Sequence, residues 1–157
     1  MENYSYFFKD KCIFGSYPTT RDINELRGLG VKYFVDLTIP GELEPYKCDA
    51  TYISYPIRDN NIPSNKKKFI HFLEYLIDII YKLNGNEKLY IHCKGGHGRS
   101  GMLVCCLLCI LENIKPEESI KLTTQYHKLR PSLKKKWLKY DCPNIKIQQD
   151  FIYEIFS

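Results

Sequence analysis

Apolar residues along the chain follow two patterns that alternate, and together they predict strands followed by helices. Short runs rich in β-branched and aromatic residues, bounded by turn residues, predict buried strands at residues 31–37, 51–55 and 88–92. Longer segments with apolar residues three and four positions apart predict helices. These helical segments are residues 20–28, 63–83, 99–113, 116–129 and 147–155.

This order of elements predicts the fold class. Strands that alternate with helices favour an α/β domain with a central, mostly parallel sheet of about four to five strands flanked by helices. The segment 99–113 is almost wholly apolar, so we expect this helix to be buried on all sides. It follows the strand at residues 88–92 after a short glycine-rich loop.

The size and composition of the chain set limits on these expectations. With 157 residues, 44% hydrophobic and 26% charged, it has the profile of a globular domain, and we interpret residues 1–157 as a single domain. Its longest apolar run, residues 102–111, is about half of the ~20 residues that a membrane-spanning helix needs. No basic segment leads into an apolar one at the N-terminus, so we predict no secretory signal and expect a cytoplasmic protein.

Cysteine content and net charge narrow the chemistry further. The cysteines number seven, an odd number, and four of them crowd into residues 93–109, which predicts reduced thiols rather than a disulfide framework. A formal net charge of +5 favours acidic ligands. Phosphorylated proteins, anionic lipid headgroups and RNA all fit that description, and charge alone does not choose among them.

The loop after the third predicted strand carries the chemistry. Its sequence, His-Cys-Lys-Gly-Gly-His-Gly-Arg-Ser-Gly at residues 92–101, places Cys93 after a strand and three glycines before a helix. Successive backbone N–H groups of such a loop can point at one centre, where the helix N-terminus adds to an anion-binding site. Arg99 can add a planar, two-pronged donor for two phosphate oxygens. These positive surroundings favour a thiolate at Cys93, the form that attacks phosphorus.

The loop resembles the His-Cys, five residues, Arg-Ser/Thr signature of the cysteine-dependent protein tyrosine phosphatase superfamily, and the short chain resembles its small dual-specificity branch. This resemblance implies that Cys93 is the nucleophile and forms a phosphocysteine. It also implies that Ser100 stabilises the departing thiolate and that His92 supports the geometry of the loop. It implies neither a metal nor any other cofactor. The residues implied to bind the phosphate are Lys94, Gly95, Gly96, His97, Gly98 and Arg99.

Members of this superfamily also use a general acid, an aspartate on a loop a few tens of residues before the cysteine. Asp59 lies 34 residues before Cys93, between the strand at residues 51–55 and the helix that starts near Pro63. The resemblance therefore implies that Asp59 protonates the leaving oxygen and later activates water. The same position also suits a turn residue or a helix cap, and this alternative stays open.

The resemblance leaves several substrate classes open. Phosphotyrosine and phosphoserine or phosphothreonine in proteins are the leading ones. Lys94 and His97 resemble the basic loop residues with which phosphoinositide phosphatases hold further ring phosphates, so a phosphoinositide or inositol phosphate is the alternative. An RNA 5′-triphosphatase, or a module that binds phosphoproteins without turnover, is less favoured. Short lysine runs at residues 66–68 and 134–136 are expected to be solvated, so stable nucleic-acid binding is not expected.

Three interpretations concern side chains around the loop or in the helix behind it. Trp137 follows a lysine run and is a candidate for the rim of a pocket. His127, in the helix at residues 116–129, is interpreted as a surface or core-edge residue. Cys106 and Cys109 are spaced as Cys-x-x-Cys but lie within an apolar helix, so core packing is favoured over a metal or redox site.

Overall fold

The computed structural model describes residues 3–156 and contains a five-stranded sheet flanked by helices. Its strands are β1 (Tyr4–Phe8), β2 (Cys12–Gly15), β3 (Val31–Asp36), β4 (Thr51–Ser54) and β5 (Lys88–His92). Its α-helices are α1 (Thr20–Leu29), α2 (Lys66–Lys82), α3 (Arg99–Leu111), α4 (Pro116–Lys128) and α5 (Lys146–Phe156). A short 3-10 helix covers Lys135–Lys139. Along the sheet the order is β1-β2-β5-β3-β4, in which only β1 and β2 are antiparallel. The predicted α/β class and mostly parallel sheet are therefore confirmed.

Two strands, β1 and β2, are missing from the predicted elements. β1 pairs with β2 across a tight turn, in which Lys9 has a φ of 49° and Lys11 donates its N–H to the Phe8 carbonyl at 3.1 Å. Four of its five residues are buried, although they include a serine and a tyrosine. Because polar and apolar residues do not alternate here, the pattern of a half-buried strand is absent from the sequence.

The ends of the helices are set by capping residues. Thr19 caps α1: its hydroxyl accepts the N–H of Asp22 at 3.1 Å, and the Asp22 carboxylate accepts the N–H of Thr19 at 3.0 Å. This reciprocal pair satisfies two backbone donors of the first turn. At the other end, Gly30 stops the helix with a φ of 109°. Helix α2 begins at Lys66, three residues later than predicted.

Helix α3 lies at the centre of the molecule. Every residue from position 99 to 109 is buried, as its apolar sequence predicts, and the helix contacts α2, α4, α5, β2 and β5. Cys106 and Cys109 belong to the main hydrophobic core, which supports the core-packing interpretation. This most apolar of the helices has only 13 residues, and across residues 3–156 no helix is both long and apolar enough to span a membrane.

The parallel strands bring their carboxyl ends to one edge of the sheet. Gly15 of β2 and Asp36 of β3 both lie beside His92 at the end of β5. The loops that follow these strands therefore meet at one place, where α/β proteins commonly bind their ligands. The loop that begins at Cys93 lies in the middle of this edge.

Candidate active site

The loop between β5 and α3 folds around the sulfur of Cys93. This residue is buried, and the backbone N–H of Gly96 donates to its Sγ at 3.3 Å. Gly96 has a φ of 76°, and a Cβ at this position would lie 2.2 Å from the carbonyl carbon of Gly15. Because no side chain fits there, the tight loop and its close approach to β2 both require glycine.

Arg99 begins α3 and is almost completely buried. Its Nη1 and Nη2 donate to the two carboxylate oxygens of Glu42 at 2.8 and 2.7 Å, and Nη1 also donates to the Ile57 carbonyl at 2.9 Å. The hydrogen bonds from Arg99 hold the pKa of Glu42 below its usual value. The Nε of Arg99 is buried and has no hydrogen-bond partner among the described residues. Arg99 therefore keeps a donor for a ligand while two acceptors fix its orientation.

Asp59 lies on the loop between β4 and α2 and faces the same cavity as Cys93 and Arg99. Its Oδ1 is 3.3 Å from Nη2 of Arg99, and 56% of its side chain is exposed. All three side chains line a cavity of about 170 Å³. The structure thus brings together the nucleophile, the arginine and the general acid that the resemblance implied, although Asp59 is distant from the other two in sequence.

Ser100 and His92 flank the two ends of the loop. The Oγ of Ser100 is buried in the first turn of α3 and has no partner within residues 3–156. His92 is buried, its Nε2 is hydrogen-bonded to the Tyr46 hydroxyl at 2.6 Å, and its Nδ1 lies 3.3 Å from the Cys93 carbonyl. Burial lowers the pKa of His92 to about 4, so the ring is neutral at neutral pH. Contacts on both sides of the ring therefore fix the residue that precedes the thiol.

The other loop residues differ in how they meet the cavity. Lys94, Gly95, His97 and Gly98 line it, whereas Gly96 contributes its N–H to the sulfur. His97 does not supply a positive charge. Burial, followed by nearby cationic side chains, lowers its pKa to about 3.

His97 is held by two aromatic neighbours. Its Nδ1 lies 2.7 Å from Nε2 of His127, and its ring stacks on Trp137 with centroids 3.8 Å apart. His127 is 1% exposed, so its interpretation as a surface or core-edge residue is wrong. It is buried because α4 packs against the sheet at β1. Trp137 lines the cavity, in agreement with its prediction as a rim residue.

Arg130 lies just after α4, and its side chain binds the backbone of the loop between β5 and α3. Its Nη1 donates to the Gly95 carbonyl at 3.2 Å and its Nη2 to the Gly96 carbonyl at 3.0 Å. Holding these carbonyls on one side of the loop leaves the opposite side to the N–H groups, which is the arrangement of an anion-binding nest.

The cavity therefore combines a thiol, a guanidinium with an unpaired donor, a carboxylate and backbone N–H groups. Such a set can bind a tetrahedral anion, attack its central atom and protonate a leaving oxygen. In the part of the chain that the structure describes, no group of three or more His, Cys, Asp or Glu side chains is placed to hold a metal ion.

Comparison with known protein families shows to which family this chain belongs. A family model described as "PTP-SAK: Swiss Army Knife protein, DSP-PTPase phosphatase domain" matches residues 2–143. The chain belongs to this family of dual-specificity phosphatases. The family that the loop at residues 92–101 resembles is thereby confirmed.

Two viral proteins are similar to this phosphatase domain along most of its length. It is 41% identical over 151 residues to "Putative tyrosine phosphatase 197R" of Invertebrate iridescent virus 6, and 38% identical over 160 aligned positions to "Putative tyrosine phosphatase 067L" of Invertebrate iridescent virus 3. These alignments cover 94% and 100% of this chain, but it spans only 51% and 67% of the relatives' own lengths. The crystal structure of Tk-PTP in the active form shares the fold, with a TM-score of 0.75 at 21% identity over 98% of this chain and 95% of that chain.

Sequence reasoning missed two residues of the phosphatase site, Glu42 and Arg130. Glu42 lies in an irregular loop after β3, and Arg130 lies just beyond α4. Neither belongs to a local motif, and a charged side chain in a loop is usually solvated. The signal that points to Glu42 is topological: β3 and β5 are neighbours, so the loop after β3 reaches the start of α3, where Arg99 lies.

Proposed function

We propose that this domain dephosphorylates phosphotyrosine, and phosphoserine or phosphothreonine, in proteins through a phosphocysteine at Cys93. The observation that carries the proposal is the convergence of Cys93, Arg99 and Asp59 on one cavity of about 170 Å³. Family membership supports the class of enzyme. The positions of the three side chains support the role that each is assigned below.

In the first step, the Cys93 thiolate attacks the phosphorus atom of the bound phosphomonoester. Loop N–H groups and the unpaired Nε of Arg99 bind the phosphoryl oxygens and offset their negative charge. The bond between phosphorus and the leaving oxygen breaks, and Asp59 gives its proton to that oxygen. The products are phosphocysteine, the free alcohol or phenol, and the Asp59 carboxylate.

In the second step, water attacks the phosphorus of the phosphocysteine. The Asp59 carboxylate takes a proton from the water, the phosphorus–sulfur bond breaks, and inorganic phosphate leaves. Ser100 donates a hydrogen bond to the departing Cys93 thiolate, a role open to its buried Oγ because it has no other partner in the described chain. Nucleophile, anion binder and acid all come from the chain itself, so we expect turnover in the presence of a metal chelator.

Hydrolysis of an aryl phosphate, with chelator and reducing agent present, tests this proposal. Cys93→Ser is expected to lose activity by about a thousandfold or more, because serine is a far weaker nucleophile than a thiolate. Asp59→Asn is expected to lose about a hundredfold. The control Asp78→Asn removes an exposed carboxylate of α2 that pairs with Lys82, and activity should remain unchanged. Wild-type turnover by Cys93→Ser would overturn the mechanism, and a folded wild type without turnover would indicate a phosphoprotein-binding module.

A phosphoinositide phosphatase is the second candidate, and Lys94 favours it. Lys94 lines the cavity and the adjoining cleft, where its ammonium group can contact another phosphate on an inositol ring. The resemblance to such enzymes also requires a cation at His97, whose ring is neutral because its pKa is lowered to about 3. We therefore place protein substrates first. A higher kcat/KM for a short-chain phosphatidylinositol phosphate than for a phosphotyrosine peptide would reverse this order.

A further inference from the structure

A basic cleft of about 770 Å³ adjoins the catalytic cavity. Its lining includes four cationic side chains and, among the described residues, a single carboxylate, that of Asp59. The cationic side chains are Lys94, Arg130, Lys134 and Lys136. Within residues 3–156, none of the three lysines forms an ion pair. The cleft therefore carries more positive charge than the single carboxylate in its lining can neutralise.

This charge acts on the catalytic loop itself. After burial, the causes that lower the pKa of His97 to about 3 are the charges of Arg130, Lys136 and Lys134, in that order. These cations must therefore lie close to a loop residue that also lines the cavity of Cys93. A substrate that enters this cavity experiences the same positive field.

One of the four cations, Arg130, is held in place by the fold. It is 4% exposed, its guanidinium is bonded to two loop carbonyls, and it lies over the ring of Phe14 at 5.1 Å. Its Nε is buried without a partner, and no carboxylate pairs with it in the described chain. A buried cation with no carboxylate partner is costly, which favours binding of an anionic group beside it.

Trp137 connects the cleft to the catalytic cavity. It lines both, and the ammonium group of Lys136 lies 5.2 Å from its ring centroid. Only some of the lysines in this segment line the cleft. Lys134 and Lys136 line the cleft, whereas Lys135 between them and Lys139 after them do not. An extended chain with its phosphate at Cys93 can therefore continue past Trp137 toward these two lysines.

We propose that Lys134 and Lys136 form a subsite for an acidic side chain next to the phosphorylated residue of a protein substrate. This inference rests on the proposed protein phosphatase function and names the kind of sequence that the domain prefers. A peptide is favoured over a lipid headgroup because the cleft also carries Asn3, Ser16 and Ser132. Their polar groups can pair with the amides of an extended peptide.

The test compares two phosphotyrosine peptides, one flanked by glutamates and one by alanines. For the wild-type domain at low ionic strength, we expect kcat/KM to be about fivefold higher for the glutamate peptide, and this ratio to fall as salt is added. In the double variant Lys134→Ala/Lys136→Ala the ratio should fall close to one. The matched control Lys135→Ala/Lys139→Ala removes the same charge from the adjoining 3-10 helix at Lys135–Lys139 and should keep the wild-type ratio.

The outcomes separate failure of the subsite from failure of the proposed function. A wild type that hydrolyses neither peptide overturns the protein phosphatase function and the subsite with it. Hydrolysis of both peptides with a ratio near one, or an equal loss in both double variants, overturns the subsite alone. A short-chain phosphatidylinositol phosphate serves as a third substrate. If only its hydrolysis depends on Lys134 and Lys136, the subsite holds a lipid headgroup and the peptide proposal is wrong.

Discussion

At the scale of single residues, Arg99 illustrates how the site is prepared for an anion. Its terminal nitrogens contact Glu42 and the Ile57 carbonyl, and its Nε is left without a partner in the described chain. A guanidinium is planar, so fixing two of its nitrogens also fixes the direction of the third. The orientation of Arg99 therefore depends on Glu42.

Glu42→Gln is expected to lower kcat/KM for an aryl phosphate about tenfold. The amide keeps the size of the side chain but loses the two charge-assisted hydrogen bonds, so the guanidinium is held less firmly. Glu44→Gln, an exposed position on the same loop, is the control and should leave kcat/KM unchanged. Equal kinetics of Glu42→Gln and wild type would contradict the positioning role of Glu42.

Gly96→Ala is expected to lower the free energy of unfolding by about 3 kcal/mol or more and to abolish activity. The added Cβ would meet the backbone of Gly15 at 2.2 Å, and a φ of 76° disfavours alanine. Gly28→Ala is the control, because no heavy atom lies within 4 Å of the added Cβ in α1. Urea unfolding should show equal stability or a gain of up to about 1 kcal/mol for Gly28→Ala. Wild-type stability of Gly96→Ala would show that the loop does not need this glycine.

At the scale of elements, the segment after α4 sets the shape of the catalytic loop. Arg130 donates to the carbonyls of Gly95 and Gly96 and also lies over the ring of Phe14 in β2. One side chain thereby connects α4, β2 and the loop. A substitution that removes the Arg130 guanidinium should therefore change both the stability of the protein and the geometry of the loop.

Arg130→Met is expected to lower the free energy of unfolding by about 2 to 4 kcal/mol and kcat by about tenfold or more, because two loop carbonyls lose their donors. The control Arg27→Met removes one hydrogen bond from an exposed side chain to the Val31 carbonyl. It should cost less than about 1 kcal/mol and leave kcat unchanged. Wild-type kcat in a folded Arg130→Met protein would disprove the role of Arg130 in the loop.

The helices and the strands β3, β4 and β5 could be predicted because each carries its own pattern of apolar residues. The strand β1 could not, since its five residues do not alternate and it becomes a strand only through pairing with β2. The first residue of a helix is also hard to predict, because several neighbouring residues can be of types that cap a helix. At the start of α1 the cap is Thr19, although Thr20 and Asp22 are of suitable types as well. Local pattern therefore predicts the type of an element better than its first residue.

The site was predictable to the extent that its residues share one loop. Cys93 and Arg99 lie six positions apart in a recognisable motif, and Asp59 could be inferred only through the family resemblance. Glu42 and Arg130 reach the site because of the strand order and the packing of α4, which no local pattern contains.

At the scale of the whole molecule, buried histidines couple stability to pH. Burial is the largest cause that lowers the pKa of His97 and His127 to about 3 and of His92 to about 4. In the unfolded chain a histidine has a pKa of about 6.5. Between these values the unfolded chain binds more protons than the folded one, so stability falls as the pH drops below about 6.5.

Urea unfolding at about pH 7.5 and about pH 5 checks this coupling. The free energy of unfolding should fall on acidification by roughly 1 to 2 kcal/mol for each of the three histidines. His127→Gln should show a smaller fall than wild type because an amide does not titrate. The control His71→Gln, at an exposed position of α2, should show the wild-type fall. Equal or greater stability at about pH 5 would contradict the neutral state of these buried rings.

The central claim is that catalysis passes through a phosphate bonded to Cys93, and isolating that phosphoenzyme is the most direct test. Ser100→Ala is expected to slow breakdown of the phosphocysteine more than its formation, because the departing thiolate loses a donor. Rapid acid quench of this variant with an aryl phosphate, followed by peptide mass mapping, should find one added phosphate on the peptide that contains Cys93. Continued turnover with no phosphate on that peptide, or with the phosphate on another residue, would contradict the account.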